Sequence, residues 1–309
     1  MITNHHDGVK NTVNASVHTS VHKSAGQLYI VATPIGNLQD ISPRAIAVLK
    51  KVDKIAAEDT RHSGHLLRQL DINTHCIALH EHNERQFSEK IIQQIKEGRD
   101  IALISDAGTP LVSDPGYFLV KLAHQEKITV TPVPGPSALI AALSAAGLAT
   151  DRFCFEGFVP SKGGPRKAFY AQRQKEPRTM VFYETPHRIV ASLNDLCSEL
   201  GEQRIVVLAR ELTKTFETIK NDSAKALYDW VKKDSNQQKG EIVLVVQGFK
   251  APEGEALTEQ TEHTLRVLLK EFSLKQAVKL TVDISGEKKK KIYNYALSIK
   301  DKELALSKG

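Results

Sequence analysis

The residues of this chain best equipped for chemistry sit where short apolar runs end. LYIVAT (28–33) gives way to TPIGNLQD (33–40), DIALIS (100–105) to SDAGTPLVSDPG (105–116), and ITVTPV (128–133) to PGPSA (134–138). Apolar runs of this length, bounded by turn residues, read as buried strands. In open α/β sheets ligands bind at the carboxyl ends of strands. Glycine and proline in such loops fix the positions of backbone N–H and C=O groups. Gly108 and Gly135 allow close backbone approach, and Asp106 or Asp114 offers acceptors to the hydroxyl or amine groups of a ligand. The same residue types also serve plain turns and caps. One such loop would mean little, but three at strand ends favour a ligand cleft.

Three further strand ends carry titratable groups: EDTR (58–61), YETPHR (183–188) and ARELTK (209–214). Glu58 and Arg61 also read as a local ion pair, and His187 as a helix cap. The segment SKGGPRKAFYAQRQKEPR (161–178) sets Lys162, Arg166, Lys167, Arg173, Lys175 and Arg178 against the lone acid Glu176, with Phe169 and Tyr170 between them. Cations that track phosphates and aromatics that stack bases are what single-stranded RNA requires; a solvated amphipathic helix has the same composition. His75, Cys76, His80 and His82 match no standard zinc spacing, so no metal site is expected. The glycine signatures of NTPases and nicotinamide enzymes are missing, as are the zincin and serine-hydrolase motifs.

The elements that must position these loops follow from periodicity. Ser42 before Pro43 reads as an N-cap and first-turn proline, with Ala45, Ile46 and Leu49 on one helical face. Phe87, Ile91 and Ile95 step by four toward Gly98, and PGPSALIAALSAAG (134–147) becomes an Ala/Leu-rich helix. A second series follows: strands at 152–156, 179–184, 204–209 and 241–247, with helices at 187–200 and near 223–233. Alternating strands and helices predict α/β layers. Beyond a polar linker at 251–259, Leu265, Leu268, Leu269 and Phe272 begin a helical tail, continued by helices at 274–284 and 287–299 around a Ser285–Gly286 turn. That tail reads as a small helical appendage or as a helix-turn-helix, whose lysine run 288–291 would touch phosphate.

The chain of 309 residues is long enough for two domains and an appendage. The expected division is a disordered extension at 1–25, α/β domains at 26–136 and 137–250, and the helical module at 258–309. Lys and Arg total 42 against 36 acidic residues, a net charge of +6, which permits a polyanionic partner without demanding one. Three dispersed cysteines argue against a disulfide framework and for a reducing cytoplasm. No apolar stretch is long enough for a membrane span, the polar N-terminus lacks the apolar core of a signal peptide, and the histidines at 5, 6, 18 and 22 read as solvated tail residues.

Taken as a series, TPIGNLQDISPRA, AAEDTRHSGHLL, HEHNE, SDAGTPLVSDPGY, VPGPSALIAALSAAGL, FEGFVPSKGGPR, FYETPHRI, ARELTKTFE and KGEIVLVVQG resemble the small-subunit rRNA methyltransferase I family of the tetrapyrrole-methylase superfamily, over about residues 27–249. The resemblance implies two α/β domains binding S-adenosylmethionine between them, in a homodimer. It carries cofactor contacts onto Pro34, Gly36, Asp106, Gly108, Thr109, Pro110, Gly135, Ser137 and Ala138, with Ala209 and Glu241 added from the second domain. The implied reaction is 2′-O-methylation of a cytidine ribose in the decoding region of 16S rRNA, on the 30S subunit. Lys162 and Arg166 match the family's pattern, so RNA contact is expected there and at Lys167, Arg173 and Lys175. Glu184 and His187 are the candidate catalytic residues, with Glu58 and Asp59 as alternatives for the base. A porphyrin-type methylase of the same fold and a non-enzymatic nucleic-acid binder are the rival readings.

Overall fold

The structure, a computed structural model, describes residues 25–80, 82–250 and 257–306. The predicted extension and its histidines lie outside them up to residue 24, as does most of the 251–259 linker. The chain divides into two units, residues 1–142 with 211–218, and residues 143–210 with 219–309. The sequence boundary at 136/137 falls just before α5, whereas the first unit runs on to Ala142 and regains the 211–218 loop.

The first unit is doubly wound. In chain order it contains β1 (Leu28–Val31), α1 (Pro43–Lys51), β2 (Lys54–Ala57), α2 (Thr60–Gln69), β3 (Cys76–Ala78), α3 (Glu84–Lys96), β4 (Ile101–Ile104), α4 (Tyr117–Gln125) and β5 (Val130–Val133), and α5 (Ala138–Ala145) leads out. The sheet order is β3-β2-β4-β1-β5, with parallel pairing throughout. Side chains alternate across it. Tyr29, Val31, Ala102 and Ile104 meet α1 and α2 through Ala45, Leu49 and Leu67. Leu28, Ile101 and Leu103 face α3 and α4 through Ile91, Ile95, Leu119 and Ala123. Each fully buried aliphatic side chain contributes about 1.5–3 kcal/mol, so both faces hold the strand ends in place. Ser42 caps α1 as its sequence predicts, its Oγ accepting from the Ala45 N–H at 3.0 Å.

The second unit contains β6 (Phe153–Phe158), α6 (Gly163–Ala171), β7 (Thr179–Glu184), α7 (Ile189–Leu200), β8 (Ile205–Arg210), β9 (Thr218–Ser223), α8 (Ala224–Lys233) and β10 (Ile242–Val246). Its sheet runs β6-β7-β10-β8-β9, with β6 parallel to β7 and β10 antiparallel to both β7 and β8. Met180, Phe182, Leu208 and Leu244 form its core with Tyr170 from α6, Leu193 and Leu196 from α7 and Leu227 from α8. Three helices close the chain: α9 (Glu259–Glu271), α10 (Leu274–Ser285) and α11 (Lys289–Leu306). They share a small core of Leu257, Leu265, Ala277, Val278, Ile292 and Ala296. Gly286, left-handed at φ 70°, ends α10. No helix among the described residues is long and apolar enough to cross a membrane.

Candidate active site

In the first unit, the loops after four neighbouring strands are tied together by backbone geometry. Thr33, fully buried beyond β1, and Gly108, beyond β4, form a two-way bridge: Thr33 N–H donates to the Gly108 carbonyl at 2.8 Å, and Gly108 N–H returns to Thr33 at 3.1 Å. The Thr33 hydroxyl donates to the Ser105 carbonyl at 3.1 Å. Thr109 Oγ1 donates to the Pro136 carbonyl at 3.0 Å, joining the second loop to the third. Asp59 N–H donates to Asp106 Oδ1 at 3.1 Å, bringing in the loop after β2. Asp106, Gly108 and Thr109, three of the residues expected at the cofactor, thus tie the loops to one another, and the sequence had no signal for Thr33 as the central bridge.

Two glycines here are needed. Gly108 has φ +84°, and Gly135 packs so closely that a Cβ would sit 3.0 Å from Ala32 Cβ. Leu111 and Ser113 are also left-handed, at φ 73° and 66°. Such strain, of order 1 kcal/mol or more per residue, collects at functional sites. Pro110 is buried, Pro34, Asp106, Thr109, Ser137 and Ala138 are half-buried, and Gly36 and Gly135 are exposed. The space beside Gly36 is taken by Lys214 of the ARELTK loop, whose Cγ lies 2.4 Å from where a Cβ would be. Lys214 itself pairs with Glu211 at 2.8 Å. That loop belongs to the first unit although β8, which precedes it, does not.

The loops concentrate negative charge. Burial pushes the Asp114 carboxyl up to about 6, with Asp106 adding repulsion and the Ser105 hydroxyl partly offsetting it. Burial also raises Glu58, and Asp114 and Asp106 push in the same direction. A set of neighbouring carboxyls suits a ligand rich in hydroxyls and carrying positive charge. Among the described residues no group of three or more His, Cys, Asp or Glu side chains converges as a metal site. Cys76 lies in β3, and the His80 and His82 rings meet edge to face at 6.0 Å.

The second unit carries the other predicted residues. Glu184 ends β7 and is 3% exposed. Its Oε1 accepts from the Thr185 N–H at 2.7 Å and from Arg188 Nε at 3.1 Å. This geometry anchors the 185–188 turn, so the expectation that Glu184 takes a substrate proton directly gives way to one of positioning. His187, on that turn, is exposed. Ala209 is fully buried inside β8, where it pairs with Val243, and Glu241 is exposed just before β10.

The basic segment is less uniform than its sequence implies. Arg166 is 6% exposed, its Nε donating to Asp195 Oδ2 at 2.7 Å and its Nη1 to the Ser161 carbonyl at 3.1 Å. It holds α6 to α7 and is not available to RNA as expected. Arg173 donates to Glu156 Oε2 at 2.8 Å and stacks 3.5 Å over the Phe169 ring. Tyr170 is fully buried and hydrogen-bonded to Ser192 at 2.8 Å, so neither aromatic stands out to stack a base. Arg178 is drawn into a bidentate pair with Glu176 at 2.7 and 3.0 Å. The side chains left at the surface are Lys162, Lys167 and Lys175; Lys167 stands 4.0 Å from Asp195, and Lys175 reaches Glu259 at 3.2 Å.

Residues 27–228 match the Tetrapyrrole (Corrin/Porphyrin) Methylases, and residues 255–300 match the RsmI C-terminal HTH domain. The chain is 54% identical over 280 residues to the ribosomal RNA small subunit methyltransferase I of Escherichia coli O157:H7, covering 91% of this chain and 98% of that protein. It belongs to the ribosomal RNA small subunit methyltransferase I family. The Pseudomonas aeruginosa member is also 54% identical, over 89% of this chain and 98% of its own length. Two solved structures outside that family share the fold at low identity. Uroporphyrin-III-C-methyltransferase from Thermus thermophilus has a TM-score of 0.52 at 18% identity, covering 72% of this chain and 94% of its own. Diphthine synthase has a TM-score of 0.55 at 17% identity, covering 72% and 90%. The bridged loops lie within the methylase match, and α9–α11 fall within or beside the HTH match. The appendage reading of the tail thus yields to the helix-turn-helix reading.

Proposed function

We propose that this methyltransferase moves the methyl group of S-adenosylmethionine to the ribose 2′-hydroxyl of a cytidine in the decoding region of 16S rRNA, within the 30S subunit. The observation that carries the reading is near-full-length identity of 54% with small-subunit rRNA methyltransferases, tail module included. The solved uroporphyrin-III-C-methyltransferase is only 18% identical and covers 72% of this chain.

S-adenosylmethionine, when bound, supplies an electrophilic methyl on a sulfonium sulfur. The loops of the first unit fit such a donor: Gly135 leaves backbone exposed, Gly108 carries the bridge to Thr33, and Asp106 and Asp114 offer acceptors for its hydroxyl and amine groups. Carboxyls are best kept on those groups and away from the sulfonium, because its charge fades in the transition state and a close anion would favour the ground state. Pro34, Gly36, Thr109, Pro110, Ser137 and Ala138 complete the proposed wall. The Thr33–Gly108 bridge and the Thr109–Pro136 tie fix that wall before the donor arrives, and such positioning lowers the barrier by several kcal/mol. Lys162, Lys167 and Lys175 meet phosphate. His187 accepts the proton of the 2′-hydroxyl, and Glu184 holds the turn that carries it. The enzyme works in the cytoplasm, as a homodimer.

The test is transfer of labelled methyl to undermethylated 30S subunits, with naked 16S rRNA and a porphyrinogen mixture alongside. Label in a nuclease-resistant dinucleotide supports ribose methylation. Label in the tetrapyrrole alone overturns the substrate and keeps only the fold and donor.

A further inference from the structure

One further feature of the first unit lies on α2, just beyond the Asp59 loop. Gly64 occupies the middle of α2 with helical dihedrals, and a Cβ built there meets nothing within 4 Å. Glycine is among the least favourable residues in a helix interior, and here no neighbour within the chain demands it. The glycine opens onto a groove of about 460 Å³ lined by Arg61, Gly64, Leu67, Arg68, Asn73 and Thr74 among others, with two guanidinium groups and no carboxylate in its walls. Arg68 Nε donates to the Gly64 carbonyl at 3.1 Å, which lays its guanidinium along the groove beside the bare backbone. Arg61 stands 91% exposed at the rim, paired with Asp59 at 3.0 Å.

We infer that this groove takes the sugar–phosphate backbone of the substrate RNA on a stretch flanking the methylated nucleotide. The inference rests on the rRNA reading above and extends its footprint to the first unit. Guanidinium groups bind phosphate oxygens through paired charge-assisted hydrogen bonds. A glycine without Cβ lets a chain of phosphates and riboses lie directly on the helix. Asn73 is an exposed amide able to bond ribose hydroxyls. Contacts of this kind set register and affinity without reading sequence, which suits a site beside the reacting ribose.

The experiment uses full-length protein carrying Gly64→Gln or Arg68→Gln. It measures methyl transfer against 30S concentration at several salt concentrations, together with donor binding, Tm and sedimentation. Glutamine is a good helix former, so Gly64→Gln should leave Tm equal to or above wild type while raising KM for 30S about tenfold, its side chain taking the space the RNA backbone would occupy. Arg68→Gln should raise KM similarly and make the salt slope shallower by about 1. Donor binding should not change in either variant. Wild-type KM and salt slope in both variants overturn the inference. A shift from dimer to monomer would instead seat a second copy of the chain in the groove, and overturns it too. If wild-type protein transfers no methyl to 30S under conditions where it binds donor, the rRNA reading fails first and the groove assignment falls with it.

Discussion

The two sheets solve different problems with similar parts. In the first, every strand runs parallel, so all carboxyl ends lie on one edge and successive loops meet there. Bridging needs only Thr33, Asp106 and Thr109, and the result is a strained, acidic, glycine-lined wall. In the second, β10 runs against both neighbours, which breaks up that edge. Its charge lies instead on α6 and the turn after it, where guanidiniums brace helices and lysines face water. Parallel pairing gathers loop backbone at one edge; the mixed sheet leaves its charge spread over helix surfaces.

The sharpest test of this contrast is Arg166→Ala. Arg166 and Asp195 side chains are each 7% exposed, and removing one partner of a buried pair costs about 3–5 kcal/mol. A large drop in Tm, measured by calorimetry, is expected with no special loss of RNA affinity per folded molecule. Equal stability and weakened RNA binding would return Arg166 to the RNA face. Next in size, His187→Gln should lower kcat about 100-fold or more, the lower range for a general base, with donor affinity unchanged by titration. An unaltered kcat would move the proton elsewhere.

A smaller effect sharpens the acidic side. A carboxyl raised by burial favours the protonated form in the folded state. Asp114 therefore contributes no penalty below its ordinary value of 3.8, and stability falls as pH rises from there through about 6. Asp114→Asn removes that loss. Its Tm should exceed wild type at pH 7.5, and the gap should close below pH 4. A constant gap across that range would detach the effect from Asp114 ionisation. Smallest of all, Lys167→Ala should leave Tm unchanged within error and flatten the salt dependence of 30S binding by about one unit of slope.

Much of this was legible in the sequence, for physical reasons. Strands buried on both faces, such as IALI of β4, are continuous apolar runs, and Ser42–Pro43 marks a helix start in its chemistry alone. The misses share causes. β9, TIKNDS at the sheet edge, is too polar to show alternation, and β3 has three residues. In α2, TRHSGHLLRQ hides its apolar stripe behind a glycine and two histidines. Within 161–178 composition could not tell Arg166 from Lys162, because which cation is buried depends on Asp195, twenty-nine residues away. Thr33 was invisible for the same reason, its partner Gly108 lying seventy-five residues on.

The central claim is that donor and RNA are held by separate chemistry, and one paired measurement tests it. Titration calorimetry with S-adenosylmethionine and salt-controlled binding to 30S subunits would be run on Gly108→Arg and on a triple Lys162→Gln, Lys167→Gln, Lys175→Gln variant, each first shown to be folded. The account predicts a crossed result: the glycine variant loses the donor and keeps 30S, and the lysine variant keeps the donor and loses 30S affinity. Donor binding intact in Gly108→Arg, or lost in the lysine variant, would contradict it.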